Sequence, residues 1–495
     1  MKSFKLLGRG VFLALCLVSI ISMAVYATPM ADATTKSLST NYTLVNLGSN
    51  TATVSASYIK PDGSPWAADA ANTNFTVAMN FGQKVVAQYF DTTMTAGSGS
   101  VVLSSDQPLG AVVQLQARGQ TPTNGAYSGI AAPSNKYYIP QLQRMRASQS
   151  GITNFQISIQ NAEPTGATTV TVDLIPYPGS GLTAYSKTNI SIQPGATFLY
   201  DLANESSANV SDGWYGSAVV TAGGGRKIAV VVNGFSGANS LQTYNAFPME
   251  SVSSSWAVPQ FTSRLPNRLS TPVVVQNLSG GTLNAGDIDM NCKSSISTPA
   301  TLAISNTASV PNNASYVFNP VTDTTIPTNW SGACIVSLAN SANGVVYVQM
   351  RRPGLNDEFA AYEAFPTNSP YTRAVIPLVS KHQPNGFATT VTVQNLDTSN
   401  VAKVRLTYTP AAAYVASGGS ATPIVRNLDI APGGNIQENL RFNDIPAIPD
   451  QWYGTLVVEA QPSTTARRIV SYVQLTNWQS PPGDTLMAHD AFGLP

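Results

Sequence analysis

The feature that most constrains this chain is a short alternating stretch that occurs four times at a regular spacing. Its clearest copy is TVTVQNL at 390–396. The asparagines that close the four copies are Asn46, Asn161, Asn277 and Asn395, so that successive copies lie 115, 116 and 118 residues apart. An internal period of this length indicates an array of similar domains. A chain of 495 residues is also too long for one hydrophobic core.

A second marker has the same spacing. A glycine opens an apolar run at Gly99, Gly216, Gly332 and Gly454, and in three of the four copies a tryptophan stands two residues before it. The two markers together predict four domains, which we call repeats 1 to 4. The predicted segments are a leader at 1–27 and repeats at 28–137, 138–256, 257–374 and 375–495.

The N-terminal segment predicts export. Lys2, Lys5 and Arg9 precede an apolar run at 11–26, which ends in the small-residue site VYA. This is the pattern of a Sec-type signal peptide cleaved after Ala27, and Ala33 closes a second candidate cleavage site. No later segment is long and apolar enough to span a membrane. We therefore expect an extracellular or cell-surface protein with no membrane span after cleavage.

The composition narrows the range of partners. Charged residues make up 10% of the chain, against about 25% in typical soluble proteins. The mature chain has 23 basic residues (26 less the three in the leader) and 25 acidic residues. No basic patch or stripe is visible, so we expect no nucleic-acid partner.

The repeated stretch predicts β-strands. Val391 and Val393 alternate with Thr392 and Gln394, and this period of two indicates a strand with one face buried. A turn and a second alternating run follow at 404–408, which predicts a hairpin. Pro-Gly pairs at 194–195 and 432–433 are typical of type II turns. Each repeat thus contains about seven short strands and no long helical pattern, the signature of a β-sandwich.

With these strands and turns in tandem, the chain resembles the immunoglobulin-like or fibronectin type III-like modules of bacterial secreted surface proteins. The resemblance covers about residues 35–495 and concerns architecture. It implies an all-β fold of four tandem immunoglobulin-like antiparallel β-sandwich domains.

Two cysteines remain in the mature chain, both in repeat 3. Cys292 shares its strand parity with Met290, and Cys334 shares its parity with Val336, so both side chains should face the core. The end of the first hairpin can lie beside the start of the strand that follows Gly332. We therefore predict a disulfide between Cys292 and Cys334, which suits an oxidising compartment.

The chain shows no catalytic motif. It has two histidines, and His489 stands where other repeats have Tyr244 and Tyr362, which indicates packing. No nucleophile elbow, zinc motif, phosphate loop or dinucleotide fingerprint occurs. The closest acid pairs are Asp287 with Asp289 and Asp357 with Glu358. Calcium would bind at such pairs if the protein takes a cation, but the sequence otherwise predicts no cofactor and no enzyme activity.

Basic residues follow the first strand of repeats 2 to 4, at Arg144, Arg264 and Lys381. They lie near the predicted boundaries between repeats. We interpret them as solvated loop charges.

The notable residues recur at equivalent positions of the repeats, and no unique set of residues resembles an active site. This pattern favours a structural or adhesive role. We expect a rod of four sandwiches about 150 Å long, at roughly 35–40 Å per domain. It would serve in a surface layer, sheath or filament, or as an adhesin. Exposed edge strands would pair it with other surface proteins or with itself.

The alternative function is a multivalent carbohydrate-binding array for extracellular polysaccharide. It requires exposed, coplanar rings on two aromatic pairs, Trp214 with Tyr215 and Trp452 with Tyr453. The alternative structural interpretation is that these rings close one end of each sandwich.

Overall fold

A computed structural model describes residues 38–117, 123–148, 151–237, 240–294, 296–353, 358–369, 371–442, 444–461, 467–477, 479 and 484–494. The predicted leader and both predicted cleavage sites lie outside these residues. The described chain forms antiparallel sheets joined by turns, so the prediction of an all-β fold is confirmed. The two α-helices in it, α1 (Ala70–Thr73) and α2 (Ala412–Ala416), have four and five residues. Short 3₁₀ turns lie at Gln88–Phe90, Leu202–Asn204, Gly223–Gly225, Met249–Ser251, Ala339–Ser341 and Leu440–Phe442.

Repeat 1 contributes seven strands in its described residues. They are β1 (Leu38–Asn46), β2 (Ala52–Ile59), β3 (Asn74–Val77), β4 (Gln83–Ala87), β5 (Ser100–Ser105), β6 (Leu109–Ala117) and β7 (Thr123–Ser128). Its first sheet has the order β4-β1-β6-β7, and its second sheet has the order β3-β2-β5.

Repeat 2 has the same plan with additional short strands. They are β8 (Lys136–Gln143), β9 (Arg146–Ser148), β10 (Gly151–Asn161), β11 (Thr168–Pro176), β12 (Tyr185–Ile192), β13 (Thr197–Asp201), β14 (Tyr215–Ala222), β15 (Ile228–Ser236), β16 (Ser240–Asn245) and β17 (Phe247–Pro248). The first sheet is β13-β10-β15-β16 with β9 beside β10, and the second is β12-β11-β14-β8-β17.

Repeats 3 and 4 keep this order. Repeat 3 has β18 (Ser255–Ser263), β19 (Val273–Asn277), β20 (Ile288–Lys293), β21 (Thr301–Ser305), β22 (Ser315–Phe318), β23 (Trp330–Leu338), β24 (Gly344–Arg352), β25 (Glu358–Glu363) and β26 (Phe365–Pro366). Repeat 4 has β27 (Arg373–Ser380), β28 (Phe387–Asn395), β29 (Ala402–Pro410), β30 (Ile424–Ile430), β31 (Asn435–Asn439), β32 (Tyr453–Ala460), β33 (Ile469–Asn477), β34 (Leu486–Asp490) and β35 (Phe492–Leu494). Their first sheets are β22-β19-β24-β25 and β31-β28-β33-β34; their second sheets are β21-β20-β23-β18-β26 and β30-β29-β32-β27-β35.

The two sheets of a repeat bury their apolar parities against each other. In repeat 2, Ile157 and Ile159 of β10 belong to the same buried cluster as Val172 and Leu174 of β11. Trp214 lies in this cluster with no exposed surface, as Trp330 does in repeat 3. Their indole N–H groups donate to main-chain oxygens 31 residues earlier, at Thr183 and Pro299. These tryptophans therefore fill the interior of their repeats.

The repeated asparagine has the same role in all four repeats. Asn46, Asn161, Asn277 and Asn395 are fully buried. Each donates its side-chain N–H₂ to two main-chain oxygens, one in the following turn and one about 30 residues later. Each also accepts the backbone N–H two residues on. This side chain therefore joins the end of one strand to the turn beyond it and to a later segment, which in repeats 1, 2 and 4 is a strand of the other sheet.

The repeated glycine lies where two neighbouring strands approach so closely that no side chain fits between them. A Cβ on Gly99, Gly216, Gly332 or Gly454 would lie 2.0–2.3 Å from a main-chain carbonyl oxygen of the neighbouring strand. Such a contact is far inside van der Waals distance, and the partner is backbone that cannot rotate away. Both sequence markers thus mark residues that the arrangement of the antiparallel sheets requires.

Of the three basic residues predicted to be solvated, Arg144 and Lys381 are buried, and Arg264 is half-buried and donates to Asp323 O at 2.8 Å. Arg144 is 5% exposed and donates to the carbonyl oxygens of Leu202 and Glu205. Lys381 is 3% exposed and donates to Ile448 O at 2.6 Å. The interpretation as loop charges was therefore wrong, because the carbonyls of a loop in the same repeat converge on these cations.

Neighbouring repeats pack against one another through sheet faces. The first sheet of each repeat contacts the second sheet of the preceding repeat. Gln276 of β19 donates to Ala218 O of β14, and Gln394 of β28 donates to Cys334 O of β23. Repeats 2 and 3 even share one buried apolar cluster.

This packing buries the polar parity of the repeated strand as well. Thr392 and Gln394 have no exposed surface, and all nine residues of β28 are buried. The prediction of a half-buried strand is therefore wrong for repeat 4. It is also wrong for β19, which is buried throughout.

The repeats close into a ring. Gln83 of repeat 1 donates to Pro377 O of repeat 4, and Gly110 lies against the Phe492 ring. Asn124 of repeat 1 donates to Asp484 O of repeat 4 at 2.7 Å. An extended rod would keep the first and last repeats far apart, so the predicted rod is not the arrangement that the structure shows.

Candidate functional site

The last strand of each first sheet meets its three counterparts at the centre of the ring. β7, β16, β25 and β34 contact one another in that cyclic order, and β34 contacts β7. We call this group the central strands. Each is the edge strand of its own sheet, and edge strands expose unpaired backbone groups. In the ring, each of these four edge strands is therefore covered by central strands of the neighbouring repeats.

Aromatic residues of the central strands pack across the repeat boundaries. Tyr244 of β16 lies 4.3 Å from Tyr347 of repeat 3, measured between ring centroids. Tyr362 of β25 stacks on Tyr472 of repeat 4 at 4.2 Å. His489 occupies the equivalent position on β34 and is 2% exposed. Burial lowers the pKa of His489 to about 4, so this imidazole is neutral near pH 7.

The next residue along each central strand is polar, and these four residues bond in a circle. They are Ser128, Asn245, Glu363 and Asp490, which hold equivalent register positions. Asn245 donates its side chain to Ser128 O at 2.9 Å and its backbone N–H to Glu363 Oε1 at 2.7 Å. The Ser128 hydroxyl approaches Asp490 O at 3.4 Å. We call this set the polar circle.

Two carboxyl groups of the polar circle share a hydrogen bond. Burial raises the pKa of Glu363 above its usual range. Burial, and then the charge of Glu363, raise the pKa of Asp490 well above its own. Two adjacent carboxylates repel, and one proton between them removes that repulsion. The raised pKa values therefore favour a bound proton at this contact between repeats 3 and 4.

A third acid, Asp484, joins the central strands at their opposite ends. Asp484 has no exposed surface, and its carboxylate accepts the backbone N–H of Leu241 at 2.7 Å and of Phe359 at 3.3 Å. Burial is the main cause that raises the pKa of Asp484 well above its usual range. Through Asn124 the same residue also contacts repeat 1. One aspartate thus connects all four repeats.

These residues were missed by the sequence reasoning. Asn245, Glu363 and Asp490 are the second residues of the motifs YNAF, YEAF and HDAF that close repeats 2 to 4. A polar residue between an aromatic residue and an alanine was the available signal. It was not informative without the knowledge that the central strands meet.

The aromatic pairs predicted for sugar stacking do not form exposed platforms. Trp214 is 0% and Trp452 is 1% exposed. Tyr215 is half-buried; its ring stacks on Tyr177 and lies 3.6 Å from the Arg146 guanidinium. Tyr453 packs edge-on against Tyr414. The tryptophan rings are therefore part of the buried interior of their repeats.

The predicted disulfide is present. Cys292 of β20 and Cys334 of β23 are direct cross-strand partners, and their sulfurs are bonded. Both residues are buried within repeat 3. The strand parity and the hairpin geometry inferred from the sequence are confirmed at this point.

The described residues of the acid pairs considered for calcium have hydrogen-bond or ion-pair partners within the chain. Asp287 accepts from the Asn284 backbone, and Asp289 accepts from the Ser305 hydroxyl. Asp357 lies outside the described residues, and Glu358 pairs with Arg352. Within the described ranges, no group of three or more His, Cys, Asp or Glu side chains is placed to hold a metal ion. The same residues contain no helix with the length and apolar character that a membrane crossing needs.

No protein-family model matches the chain, and the comparison with curated proteins finds no similar sequence. The geometry described above therefore carries the functional argument.

Proposed function

We propose that the protein is exported and serves as a non-enzymatic structural or adhesive component of a cell surface or an extracellular layer, sheath or filament. In this proposal its four repeats are immunoglobulin-like β-sandwiches. The observation that carries it is that the residues which stand out in the sequence are repeated and perform one structural task in each repeat. The buried asparagine and the close-approach glycine occur four times each.

The buried disulfide and the predicted leader support the extracellular part of the proposal. Disulfides persist in oxidising compartments and are rare in the cytosol. Cys292–Cys334 lies in the core of repeat 3, between two strands of one sheet. The N-terminal 27 residues have the composition of a Sec signal.

Edge strands support the assembly part of the proposal. β4, β13 and β30 are edge strands: β4 and β13 end their sheets opposite a central strand, and β30 ends the second sheet of repeat 4. Each exposes a large apolar side chain: Val85 is 45%, Leu199 46% and Val425 42% exposed. Such edges can add a strand from a neighbouring molecule. Other surface proteins or further copies of this chain are therefore the partners that we propose.

The structural role is favoured over the carbohydrate-binding array. The array needs the faces of Trp214 and Trp452 to be accessible to a sugar ring. Both rings are buried, so we do not propose sugar binding at these residues.

Location and assembly test the proposal. The N-terminus of the cellular protein is sequenced, intact cells are treated with protease, and the purified mature protein is imaged by electron microscopy. We expect a processed N-terminus, digestion on intact cells, and ordered assemblies built from ring-shaped particles. A cytoplasmic, unprocessed protein would contradict the proposal, as would a hydrolytic activity that one substitution abolishes.

A further inference from the structure

The contact between repeat 4 and repeat 1 closes the ring without a chain connection, because these repeats lie at opposite ends of the sequence. We call it the closing boundary. Its faces are of the same kind as at the other boundaries: β1 and β6 of the first sheet of repeat 1 lie on β27 of the second sheet of repeat 4. Such a contact is head to tail, and a head-to-tail contact can form within one molecule or between two.

The face that repeat 1 gives to the closing boundary is apolar. Val112 and Val113 are neighbours on β6, so their side chains point to opposite faces of the sheet. Val113 belongs to the core cluster of repeat 1, whereas Val112 belongs to the cluster of repeat 4 and has no exposed surface. Val45 on the same face is also fully buried, and Gly110 beside it lies against the Phe492 ring. Opening of the ring would therefore expose a buried apolar face.

The centre of the closing boundary differs from that of the boundary between repeats 3 and 4. The strand register places Val112 and His489 where that boundary has Tyr472 and Tyr362, which stack. The Tyr362 hydroxyl also donates to Gln260 O at 3.0 Å. The Nε2 atom of His489 is buried and has no hydrogen-bond partner among the described residues. An aromatic stack and its hydrogen bond are thus replaced by a weaker contact.

A polar contact between neighbouring repeats is also replaced by an apolar one. Gln394 donates its side-chain amide to a main-chain oxygen of repeat 3, and the equivalent residue of repeat 1 is Val45. Gln83 still donates to Pro377 O at 2.5 Å. The closing boundary is therefore held by apolar packing and by hydrogen bonds such as this one. Because no chain connection keeps its two faces together, it is the boundary that opens first.

We propose that copies of the chain join head to tail through this boundary, with repeat 4 of one copy bound to repeat 1 of the next. An opened copy has one free face of each kind, and the two faces already fit each other in the closed ring. Successive copies then form a larger ring or an open filament, according to whether the rotation closes. A second copy is the partner that fits, since it carries both the apolar face around Val112 and the carbonyl group of Pro377 that accepts from Gln83.

Concentration decides between the closed ring and the joined copies. The covalent chain keeps the two faces of one molecule at a high effective concentration, which favours the closed ring in dilute solution. A crowded surface raises the concentration of neighbouring copies and favours contacts between them. An exposed apolar face of this kind is unfavourable in water, so an opened copy either closes again or binds the next copy.

The head-to-tail contact deepens the proposed function, on which it rests for the assembly role, because it names the partner and the surface that binds it. The two can fail separately. Contact between copies is measured with purified chains in solution, whereas export and surface location are tested in cells.

The test uses two variants of the chain from residue 28, with the disulfide formed, and each variant alters one face of the closing boundary. Val112→Arg places a charge in the buried face of repeat 1 and leaves the face of repeat 4 intact. Phe492→Arg alters the face of repeat 4 and leaves that of repeat 1 intact. Val85→Arg is the matched control, because Val85 lies in the same cross-strand row as Val112 but is 45% exposed.

Each variant is examined alone and in an equimolar mixture by sedimentation velocity. We expect each face variant alone to be an open monomer that sediments more slowly than the wild type. The mixture should form a dimer, because the intact face of one variant meets the intact face of the other. This mixed pair should bind at least about tenfold more tightly than either variant binds itself, since a self-pair must bury an unpaired charge. The Val85→Arg control should remain a closed ring.

A second variant of repeat 1 tests the same face without a charge in a buried apolar position. Gln83 is half-buried, and Gln83→Glu replaces the donor to Pro377 O by a carboxylate that this carbonyl oxygen repels. We expect Gln83→Glu to open the ring and to pair with Phe492→Arg, as Val112→Arg does. The prediction can therefore be tested even where Val112→Arg unfolds repeat 1.

Three results would overturn the proposal. The first is a mixture in which both folded variants remain monomers. The second is a set of face variants that sediment like the closed wild type, which would show that these faces do not hold the ring. The third is equal self-association of each variant alone, which would assign assembly to another surface, such as the edge strand β4.

Discussion

The buried asparagine of repeat 4 gives the sharpest test of why the sequence repeats. Asn395 donates to Asn400 O at 2.8 Å and to Ile430 O at 3.2 Å, and accepts the Asp397 N–H at 2.9 Å. Asn395→Asp keeps the shape and the acceptor but, when ionised, removes both donors. The carboxylate then faces two carbonyl oxygens in a site with no exposed surface.

The expected loss follows from these contacts. Two lost hydrogen bonds at about 1 kcal/mol each, with a buried carbonyl left unpaired, destabilise repeat 4 by about 3 kcal/mol at pH 7. For a domain of this size that loss lowers Tm by about 10 °C. Burial should raise the pKa of the new carboxyl group in the folded state. The stability deficit is then smallest at acid pH and grows as pH rises above the ordinary carboxyl value.

Thermal unfolding followed by circular dichroism, with hydrogen exchange of β28 and β30, measures the effect. Asn427→Asp is the matched control, because it makes the same chemical change at an exposed position of β30. A deficit no larger than that of the control would refute the reasoning. A deficit that does not change between pH 4.5 and pH 8, or that grows toward acid pH, would refute the assignment of the donors.

Three further perturbations test other parts of the structure. Gly454→Ala brings a Cβ to 2.0 Å from Thr409 O and should destabilise repeat 4 by at least about 2 kcal/mol in urea unfolding. The control Gly281→Ala has open space around its Cβ and should change the stability little. Equal effects of the two substitutions would contradict the close approach of the strands at Gly454. Cys334→Ala should cost about 4 kcal/mol in the chain-entropy estimate for a bridge across 42 residues, measured as a lower Tm that reductant does not lower further; an unchanged Tm would contradict it. Burial raises the pKa of Glu363, so the folded state binds its proton more tightly than the unfolded state and loses stability as pH rises above the ordinary value of 4.5. Glu363→Gln should therefore flatten the fall of Tm between pH 5 and pH 9, and an equally steep fall would show that the shared proton is unimportant.

The repeated residues could be predicted because their causes are local. An asparagine that ends a strand before a turn, and a glycine that opens an apolar run, leave the same pattern in every repeat. Cys292 and Cys334 could be paired because strand parity and the predicted hairpin placed both in one core. Each of these inferences needed only the geometry of one sandwich.

The ring could not be predicted, because the residues that form it look like surface residues. Thr392 and Gln394 lie on the polar parity of β28, which predicts a solvated face. Gln394 is nevertheless buried, since its amide bonds a main-chain oxygen of the preceding repeat. The cations Arg144 and Lys381 were misassigned for a related reason, because loop carbonyls satisfy them. A polar side chain with a partner can be buried, and a sequence does not show the partner.

The closed ring also gives a physical reason for the low charge of the chain. Strands such as β19, β28 and β33 are buried on both faces. Both faces of these sheets must therefore exclude unpaired charged side chains, whereas a sheet with one solvent-exposed face can carry charges on that face. An unpaired buried charge costs several kcal/mol, whereas threonine and glutamine cost little once they are hydrogen-bonded. Two buried acids meet this condition: Glu358 pairs with Arg352, and Asp484 accepts the backbone N–H groups of Leu241 and Phe359. The scarcity of charged residues thus follows from the number of covered sheet faces, and an extended chain of separate sandwiches would not require it.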